Sequence, residues 1–261
     1  MFELFDIVGA HFIAGVLAMA RMLAAMTILP LFSSQNLPRT VRTAIAFALS
    51  IAVIPSLAGQ TAIAHLSLLA VGLLIKEVAL GLLLGFSFGM IFWAIENIGH
   101  LIDFQTGLTF SQVVDPLLGN QSSVHARLLT QCFFVYFLAI GGLRQFLEAM
   151  YASYLIWPVM TGTPRMLPGW QNIFTDQVGL MFSLTLLFSA GALIVLLLVD
   201  LGVGLLNRAA PNMAIDDMLR PLKAWLASLI VLGTLPFILD RTLEVVQRYR
   251  AVPLMLQKAF G

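Results

Sequence analysis

Residues 77–104 read EVALGLLLGFSFGMIFWAIENIGHLIDF, and this stretch decides the kind of fold that the chain can adopt. It is longer than the roughly 20 apolar residues that cross the hydrocarbon core of a bilayer, and its apolar pattern extends back to residue 66. The composition of the chain agrees, since 60% of its 261 residues are hydrophobic, 10% are charged and the mean hydropathy is +0.96. One water-soluble globule cannot bury that much apolar surface, so the sequence predicts an integral membrane protein.

The remaining apolar segments predict an all-α fold of long helices and of helices broken by Gly or Pro. The expected helices lie near 7–32, 43–57, 66–104, 124–140, 143–157, 177–206 and 219–247. A short or broken helix at membrane depth needs other protein to cover its freed backbone groups. The chain is therefore expected to pack among partner subunits.

Charge and cysteine content exclude several classes of function. The 14 Lys and Arg residues against 13 Asp and Glu leave a net charge of +1, which gives no basic field for nucleic acid. Cys132 is the only cysteine, so an internal disulfide and a cysteine-based metal cluster are excluded. No cofactor is expected.

Three glycines within the opening stretch predict a close helix contact. Gly81, Gly85 and Gly89 follow one another at i+4 steps, so they share one helix face where the missing side chains let another helix approach. Residues 85–89, which read GFSFG, also match the G-x-S-x-G pattern of serine hydrolases. That pattern needs a strand, a sharp turn and a helix to present the serine, so helix packing is favoured over a nucleophilic Ser87.

Ionisable residues inside apolar runs are the second group of candidates. Each costs about 2.5–3.5 kcal/mol at a helix centre on insertion scales, so each is expected to face a partner or water. Lys76 and Glu77 are adjacent, which predicts that they point away from one another and find counter-charges elsewhere. The full set is Arg21, Lys76, Glu77, Asp200 and Arg208.

Glu96, His100 and Asp103 form a third group at i, i+4 and i+7 on one helix face. A carboxylate, imidazole and carboxylate on one face would suit a divalent metal or a proton relay. Three ligands on one helix rarely converge on one ion, so a polar patch satisfied by neighbouring helices or by water is favoured. No metal site is expected.

Several short motifs carry a resemblance to a known family. They lie in order along nearly the whole chain: RMLAAMTILPLFS (21–33), LPRTVR (37–42), EVALGLLLGF (77–86), GHLIDFQTGLTF (99–110), Asp115 with Pro116, NRAAPNM (207–213) and MLRPLK (218–223). Their combination resembles the type III secretion export-apparatus protein T and its flagellar counterpart, flagellar biosynthetic protein R (the SctT/FliR family). Asp216 and Asp217 depart from the family pattern and favour the injectisome branch over the flagellum.

The resemblance implies a protein that is no enzyme. It implies a single-copy subunit of an export gate in the bacterial inner membrane, assembled with P-like (R) and Q-like (S) proteins around a closed path for unfolded polypeptides. Contacts with the large export-gate V protein and the U switch protein are also implied. The family fold, made of bent and partly broken helical hairpins, resembles a fusion of the P-like and Q-like partners. This assigns 1–176 to a P-like part and 177–261 to a Q-like hairpin with the C-terminal tail.

The resemblance also implies a role for 106–122, which is too apolar for a polar linker and too rich in Gly, Pro, Asn and Ser for a membrane helix. In the family this segment is a plug loop inside the closed pore. A plug needs apolar side chains for a dry seal and a backbone that can move aside. The implied plug residues are Gly107, Leu108, Phe110, Val113, Val114, Asp115, Pro116, Leu117, Leu118 and Gly119.

Two other function classes stay open on the residues alone. A small-molecule or ion secondary transporter would use Arg21, Lys76, Glu77, Glu96 and Asp200 as a coupling network, but its two halves often show a repeat, and no convincing repeat is found. An intramembrane serine hydrolase would use Ser87.

Overall fold

The computed structural model describes residues 2–33, 36–54, 68–107, 123–160, 170–209 and 215–249. Within these ranges the regular structure is helical, which confirms the predicted all-α fold class. A short 3-10 turn, Pro30–Phe32, follows the first helix. The helices are α1 (Phe2–Ile28), α2 (Arg39–Ile51), α3 (Leu68–Thr106), α4 (Val124–Ala139), α5 (Gly142–Ile156), α6 (Trp170–Ala209) and α7 (Ile215–Arg248).

Three of these helices are long and apolar enough to cross a membrane. The qualifying segments are Ala70–Thr106 of α3, Phe174–Ala209 of α6 and Pro221–Gln247 of α7. The pair α4 and α5 passes the same test as one bent segment, so the described residues supply three spans or up to four. The protein is therefore a multi-pass membrane protein by the length and composition of its helices.

The bend between α4 and α5 is built by glycine. The two helices meet at 68°. Gly141 lies at the bend with φ of +78°, a left-handed conformation that costs glycine little and other residues more. Its carbonyl accepts the amide of Gln145 at 3.1 Å, so α5 restarts directly after the bend. The double glycine that ends the apolar run thus marks a break between two helices.

The chain forms two compact units that do not follow its order. Unit 1 contains Met1–Met90, Gly141–Gln177 and Gln247–Gly261, and unit 2 contains Ile91–Ile140 and Val178–Val246. The division into 1–176 and 177–261 comes from a family resemblance and concerns correspondence with partner proteins, which compactness does not test. That division stays a prediction.

In unit 1, α3 crosses α1 at the predicted glycine face. A Cβ placed on Gly81 would overlap the carbonyl oxygen of Arg21, and one on Gly85 would lie 2.5 Å from the carbonyl oxygen of Ala25. Gly89 is buried two turns after Gly81. The backbones of α1 and α3 are therefore in direct contact, which any side chain at Gly81 or Gly85 would prevent.

In unit 2, three phenylalanines on α3 and α4 fill the core. Phe92 packs edge-on against Phe133 and Phe137, with ring centroids 4.9 and 5.1 Å apart. The outward faces of α6 and α7 are apolar as well, as expected where lipid or partner helices replace water. Their exposed large residues include Phe182, Leu186, Leu187, Ile194, Leu198, Leu201, Leu205, Leu222, Trp225, Leu229, Leu232 and Phe237.

We expect the substitution Gly81→Ala to destabilise the protein by about 1–3 kcal/mol, because the new methyl group pushes on the backbone of α1. Gly72→Ala is the matched control on the same helix, since nothing lies within 4 Å of a Cβ at Gly72. There the better helix propensity of alanine should stabilise the protein by about 0.5–1 kcal/mol. Thermal unfolding midpoints of the purified variants measure both effects, and shifts of the same sign would contradict the close contact.

Candidate functional site

The first buried polar cluster lies in unit 1 around Arg21 of α1. The guanidinium binds Glu77 of α3 through two hydrogen bonds, Nε to Oε2 at 2.6 Å and Nη2 to Oε1 at 2.9 Å. Its Nη1 donates to the hydroxyl of Ser153 at 3.1 Å, and Nη2 also donates to the carbonyl of Trp157 at 2.8 Å. The side chains of Arg21 and Glu77 have no solvent exposure. A buried charge of this kind is tolerable only when it is paired and hydrogen-bonded, and Arg21 makes four such hydrogen bonds here.

Lys76 also belongs to this cluster, although its position next to Glu77 predicts that the two side chains point apart. Adjacent residues on a helix start in different directions, but the ammonium lies 3.0 Å from Oε1 of Glu77. The same ammonium donates to the carbonyls of Pro158 and Val159 at 3.0 and 2.9 Å. The long lysine side chain can reach back along its own helix, so the prediction that Lys76 and Glu77 point apart is wrong.

Two cations thus share one carboxylate, and backbone carbonyls supply the further hydrogen-bond acceptors. The carbonyls of Trp157, Pro158 and Val159 follow the C-terminal end of α5, where the helix dipole is negative. Tyr154 of α5 adds its ring beneath the guanidinium of Arg21, 4.3 Å from the centroid. The Arg21 cluster, defined as Arg21, Lys76, Glu77, Ser153 and Trp157, therefore fastens α1, α3 and the end of α5 together.

The second buried cluster lies in unit 2 around Asp103, near the end of α3. Its Oδ2 accepts the hydroxyl of Ser123 and the backbone amide of His125, the latter at 3.0 Å. Its Oδ1 contacts Nδ1 of the same histidine. On the other side of the ring, Nε2 lies 3.0 Å from the hydroxyl of Ser228 on α7. Asp103 is fully buried, and Ser123 and His125 are nearly so.

Local sequence explains why α4 presents these groups. Ser123 is the N-cap of α4 and its hydroxyl accepts the amide of Ala126 at 3.2 Å. A Cβ on Gly99 would overlap the backbone of Ala126, so the missing side chain lets the first turn of α4 approach α3. The positive end of α4 then faces the Asp103 carboxylate, which stabilises the negative charge.

The structure does not bring Glu96, His100 and Asp103 together in one polar patch. Glu96 and His100 are about half exposed and lie 3.7 Å apart, whereas Asp103 is buried and turns to α4. Across the described parts of the chain, no group of three or more His, Cys, Asp or Glu side chains is placed to hold a metal ion.

The other candidates are more simply placed. Asp200 of α6 pairs with Lys223 of α7 and accepts the side-chain amide of Gln105 at 2.9 Å. Arg208 is exposed in the last turn of α6, where a cation suits the helix dipole. Ser87 donates to the carbonyl of Leu83 at 2.9 Å and accepts from Gln177 at 3.1 Å, the pattern of a satisfied helical serine.

The family model for bacterial export proteins, family 1, matches residues 12–249. The chain belongs to this family.

Relatives within it come from both secretion and flagellar systems. Yop proteins translocation protein T of Yersinia pestis is 31% identical over 227 residues, covering 87% of each chain. Secretion system apparatus protein SsaT of Salmonella typhimurium is 28% identical over 248 residues, covering 90% of this chain and 92% of the relative. Flagellar biosynthetic protein FliR of Escherichia coli is 27% identical over 221 residues, covering 84% and 82%. The resemblance to the SctT/FliR family is therefore confirmed.

The plug segment implied by this family lies almost wholly outside the described residues. Gly107 is described: its φ of +77° ends α3, and its amide donates to the carbonyl of Phe104 at 3.2 Å. The other implied plug residues, Leu108, Phe110, Val113, Val114, Asp115, Pro116, Leu117, Leu118 and Gly119, lie outside them.

Several residues of both clusters were missed by sequence reasoning. Ser153 and Ser228 look like ordinary helical serines, and their spacing does not reveal their partners. A signal did exist for Gly99, since it stands one turn before Asp103 on the same helix face. Ser123 directly before an apolar run is also a typical N-cap, which predicts the start of α4 although not its contact with Asp103.

Arg21→Leu should destabilise the protein by about 3–5 kcal/mol, because it leaves Glu77 buried without its main partner. Arg21→Lys should retain part of the stability, since an ammonium cannot reproduce both hydrogen bonds of the guanidinium. Arg144→Leu is the control: its partner Glu148 lies 2.7 Å away in an exposed pair, and the change should cost at most about 0.5 kcal/mol. The thermal unfolding midpoints of the purified variants measure these effects. Equal decreases for Arg21→Leu and Arg144→Leu would contradict a structural role for the buried pair of Arg21 and Glu77.

Proposed function

We propose that this protein is a single-copy structural and gating subunit of a type III secretion export gate. The observation that carries the proposal is the match of the bacterial export family over residues 12–249, almost the whole chain. Relatives named for translocation, for a secretion apparatus and for flagellar biosynthesis each cover more than 80% of it. The function common to these names is export of protein by an assembled membrane apparatus, in which the chain takes part without making or breaking bonds.

The exposed surface of the helices supports membership of such an assembly. Helices α6 and α7 carry long rows of exposed Leu, Ile and Phe side chains, which are stable only against lipid or against other apolar helices. We assign part of this surface to P-like (R) and Q-like (S) subunits. The large V protein and the U switch protein are the further partners proposed, and the assembly is placed in the bacterial inner membrane.

The gating role is assigned to the segment between α3 and α4. The residues beside its two ends, Thr106 and Ser123, are buried in unit 2, where α3 ends at Thr106 and Ser123 caps α4. The intervening sequence alternates bulky apolar residues with Gly and Pro, a composition that suits a dry but movable seal. We propose that this segment closes the resting path for unfolded polypeptides.

The contacts of the charged residues argue against a secondary transporter. A coupling network needs its ionisable groups connected to one another and to water. Among the described residues, Glu77 binds Arg21 and Lys76 in a buried site, and Asp200 binds Lys223. Glu96 is nearly half exposed, with its Oε1 3.7 Å from Nε2 of His100 on the same helix. Each charge is thus satisfied locally, as in a protein whose charges hold helices together.

Removal of Val113–Leu118 should leave assembly intact and open a leak, because the seal is lost while both flanking helices remain. The expected result is slower growth and higher membrane conductance when the variant is expressed with its partners. Polar replacement of Phe110, Val113 and Val114 should give a smaller leak, since it wets the seal without removing it.

Leu155→Ser is the control for general damage, because Leu155 on α5 is 80% exposed and outside the segment. It should leave conductance unchanged. A shortened protein that copurifies with its partners in a tight membrane would refute the gating role. Loss of uptake of a small solute without a leak would favour the transporter instead.

A further inference from the structure

The Asp103 carboxylate contacts residues at the beginning of α4, and its own helix ends three residues after it. Of the five residues involved, Asp103 and Thr106 precede the segment between α3 and α4, Ser123 and His125 follow it, and Ser228 lies on α7. We propose that Asp103 is a positioning residue that fixes the two ends of that segment, and that His125 ties this junction to α7. The proposal rests on the proposed function, because it concerns how the sealing segment is held.

The hydrogen bonds account for both ends of the segment. Before it, the hydroxyl of Thr106 donates to the backbone carbonyl of Asp103 at 2.9 Å and closes the last turn of α3. After it, Ser123 and the backbone amide of His125 both donate to Oδ2 of Asp103. One carboxylate therefore receives donors from the residues at which the chain returns to the helical core. Because Asp103 is fully buried, loss of any one donor leaves part of its negative charge uncompensated, which makes the open junction costly.

The imidazole of His125 links Asp103 to α7, because each of its two nitrogens contacts one of them. Nδ1 of His125 faces Asp103, and Nε2 faces the hydroxyl of Ser228 at 3.0 Å. The same hydroxyl also donates to the carbonyl of Ala224 at 2.9 Å, so it joins the ring to the backbone of α7. A displacement of α7 would thus pull on the ring and, through it, on Asp103.

A neighbouring set of charges joins the same helices. Lys223, five residues before Ser228 on α7, pairs with Asp200 of α6. Gln105, two residues after Asp103 on α3, donates to the same Asp200. Among the described residues, Gln105, Asp200 and Lys223 thus form a polar set beside the Asp103 cluster, and Arg127 of α4 is exposed. Two independent sets of contacts therefore hold the end of α3 to α7.

Asp103, His125 and Ser228 are linked in the same way as the carboxylate, imidazole and hydroxyl of a serine hydrolase. The serine, however, does not lie where a nucleophile could act. Ser228 lies inside α7, where backbone amides are bonded within the helix and cannot bind an oxyanion. A nucleophile needs such donors about 3 Å from the reacting oxygen. The cluster is built to hold helices and offers no site for hydrolysis.

Spin labels on the assembled complex test the junction directly. In a Cys132→Ser background, one pair is placed at Phe104→Cys and Val124→Cys, whose native side chains are 65% and 66% exposed and lie outside the cluster. Asp103→Asn and Ser123→Ala should broaden the distance distribution of this pair by about twofold, as expected for local opening of a junction. Ser123→Thr keeps the hydroxyl and Glu96→Gln changes an exposed carboxylate on the same helix, so both should retain the narrow distribution.

A second label pair, Val124→Cys with Trp225→Cys, reports on α7, and Trp225 is 73% exposed. His125→Asn keeps an amide nitrogen near the position of Nδ1 but lacks Nε2. It should broaden the distance distribution of the second label pair by about twofold and leave the distribution of the first pair narrow. Broadening of both pairs or of neither would overturn the assignment of His125.

Conductance separates this proposal from the proposed function. We expect Asp103→Asn to leak less than removal of Val113–Leu118. If the deletion leaks while Asp103→Asn and Ser123→Ala keep narrow distances and a tight membrane, the positioning role is wrong and the gating role stands. If the two substitutions broaden the distances but the deletion stays tight, the junction is real and the gating role is wrong. Should Asp103→Asn fail to assemble, the comparison of Ser123→Ala with Ser123→Thr gives the same decision.

Discussion

A carboxylate without solvent exposure is stable only when donors surround it, and α3 carries two such carboxylates, Glu77 and Asp103. Each organises one unit of the protein. Glu77 draws Arg21 of α1 and Lys76 to itself, and these cations in turn bind the carbonyls at the end of α5. Asp103 receives the hydroxyl and amide donors at the start of α4 and, through His125, contacts α7. Within each unit, the helices that contact these carboxylates are held where the two side chains find their donors.

The glycines of α3 are a consequence of the same constraint. A short side chain such as Asp reaches donors on another helix only if the two backbones approach closely. Gly81 lies one turn after Glu77 and contacts α1, and Gly99 lies one turn before Asp103 and contacts α4. At both positions a Cβ would overlap backbone atoms of the neighbouring helix. Each buried carboxylate is thus accompanied by a glycine that lets its partner helix approach.

Sequence reasoning succeeded where periodicity or composition decides and failed where tertiary contacts decide. The apolar runs predicted α3, α6 and the bent pair α4 and α5, because spans and glycine breaks are local properties. Helical spacing grouped Asp103 with Glu96 and His100, but it gives only a shared face and not the partner on that face. The actual partner, His125, is 22 residues away across a long connection. Lys76 and Glu77 were misjudged because Cβ directions ignore the reach of a flexible lysine.

Buried ion pairs add little net stability, since apolar replacements of similar volume are often as stable. Their retention here is better explained by specificity. Within lipid, apolar helix faces gain little by choosing one neighbour over another, because lipid tails are equally apolar. Directional bonds such as those of Arg21 with Glu77, and close contacts such as that at Gly81, select one packing among many. A membrane protein with so many exposed apolar side chains on α6 and α7 needs this internal selection, because those faces alone do not distinguish one neighbouring helix from another.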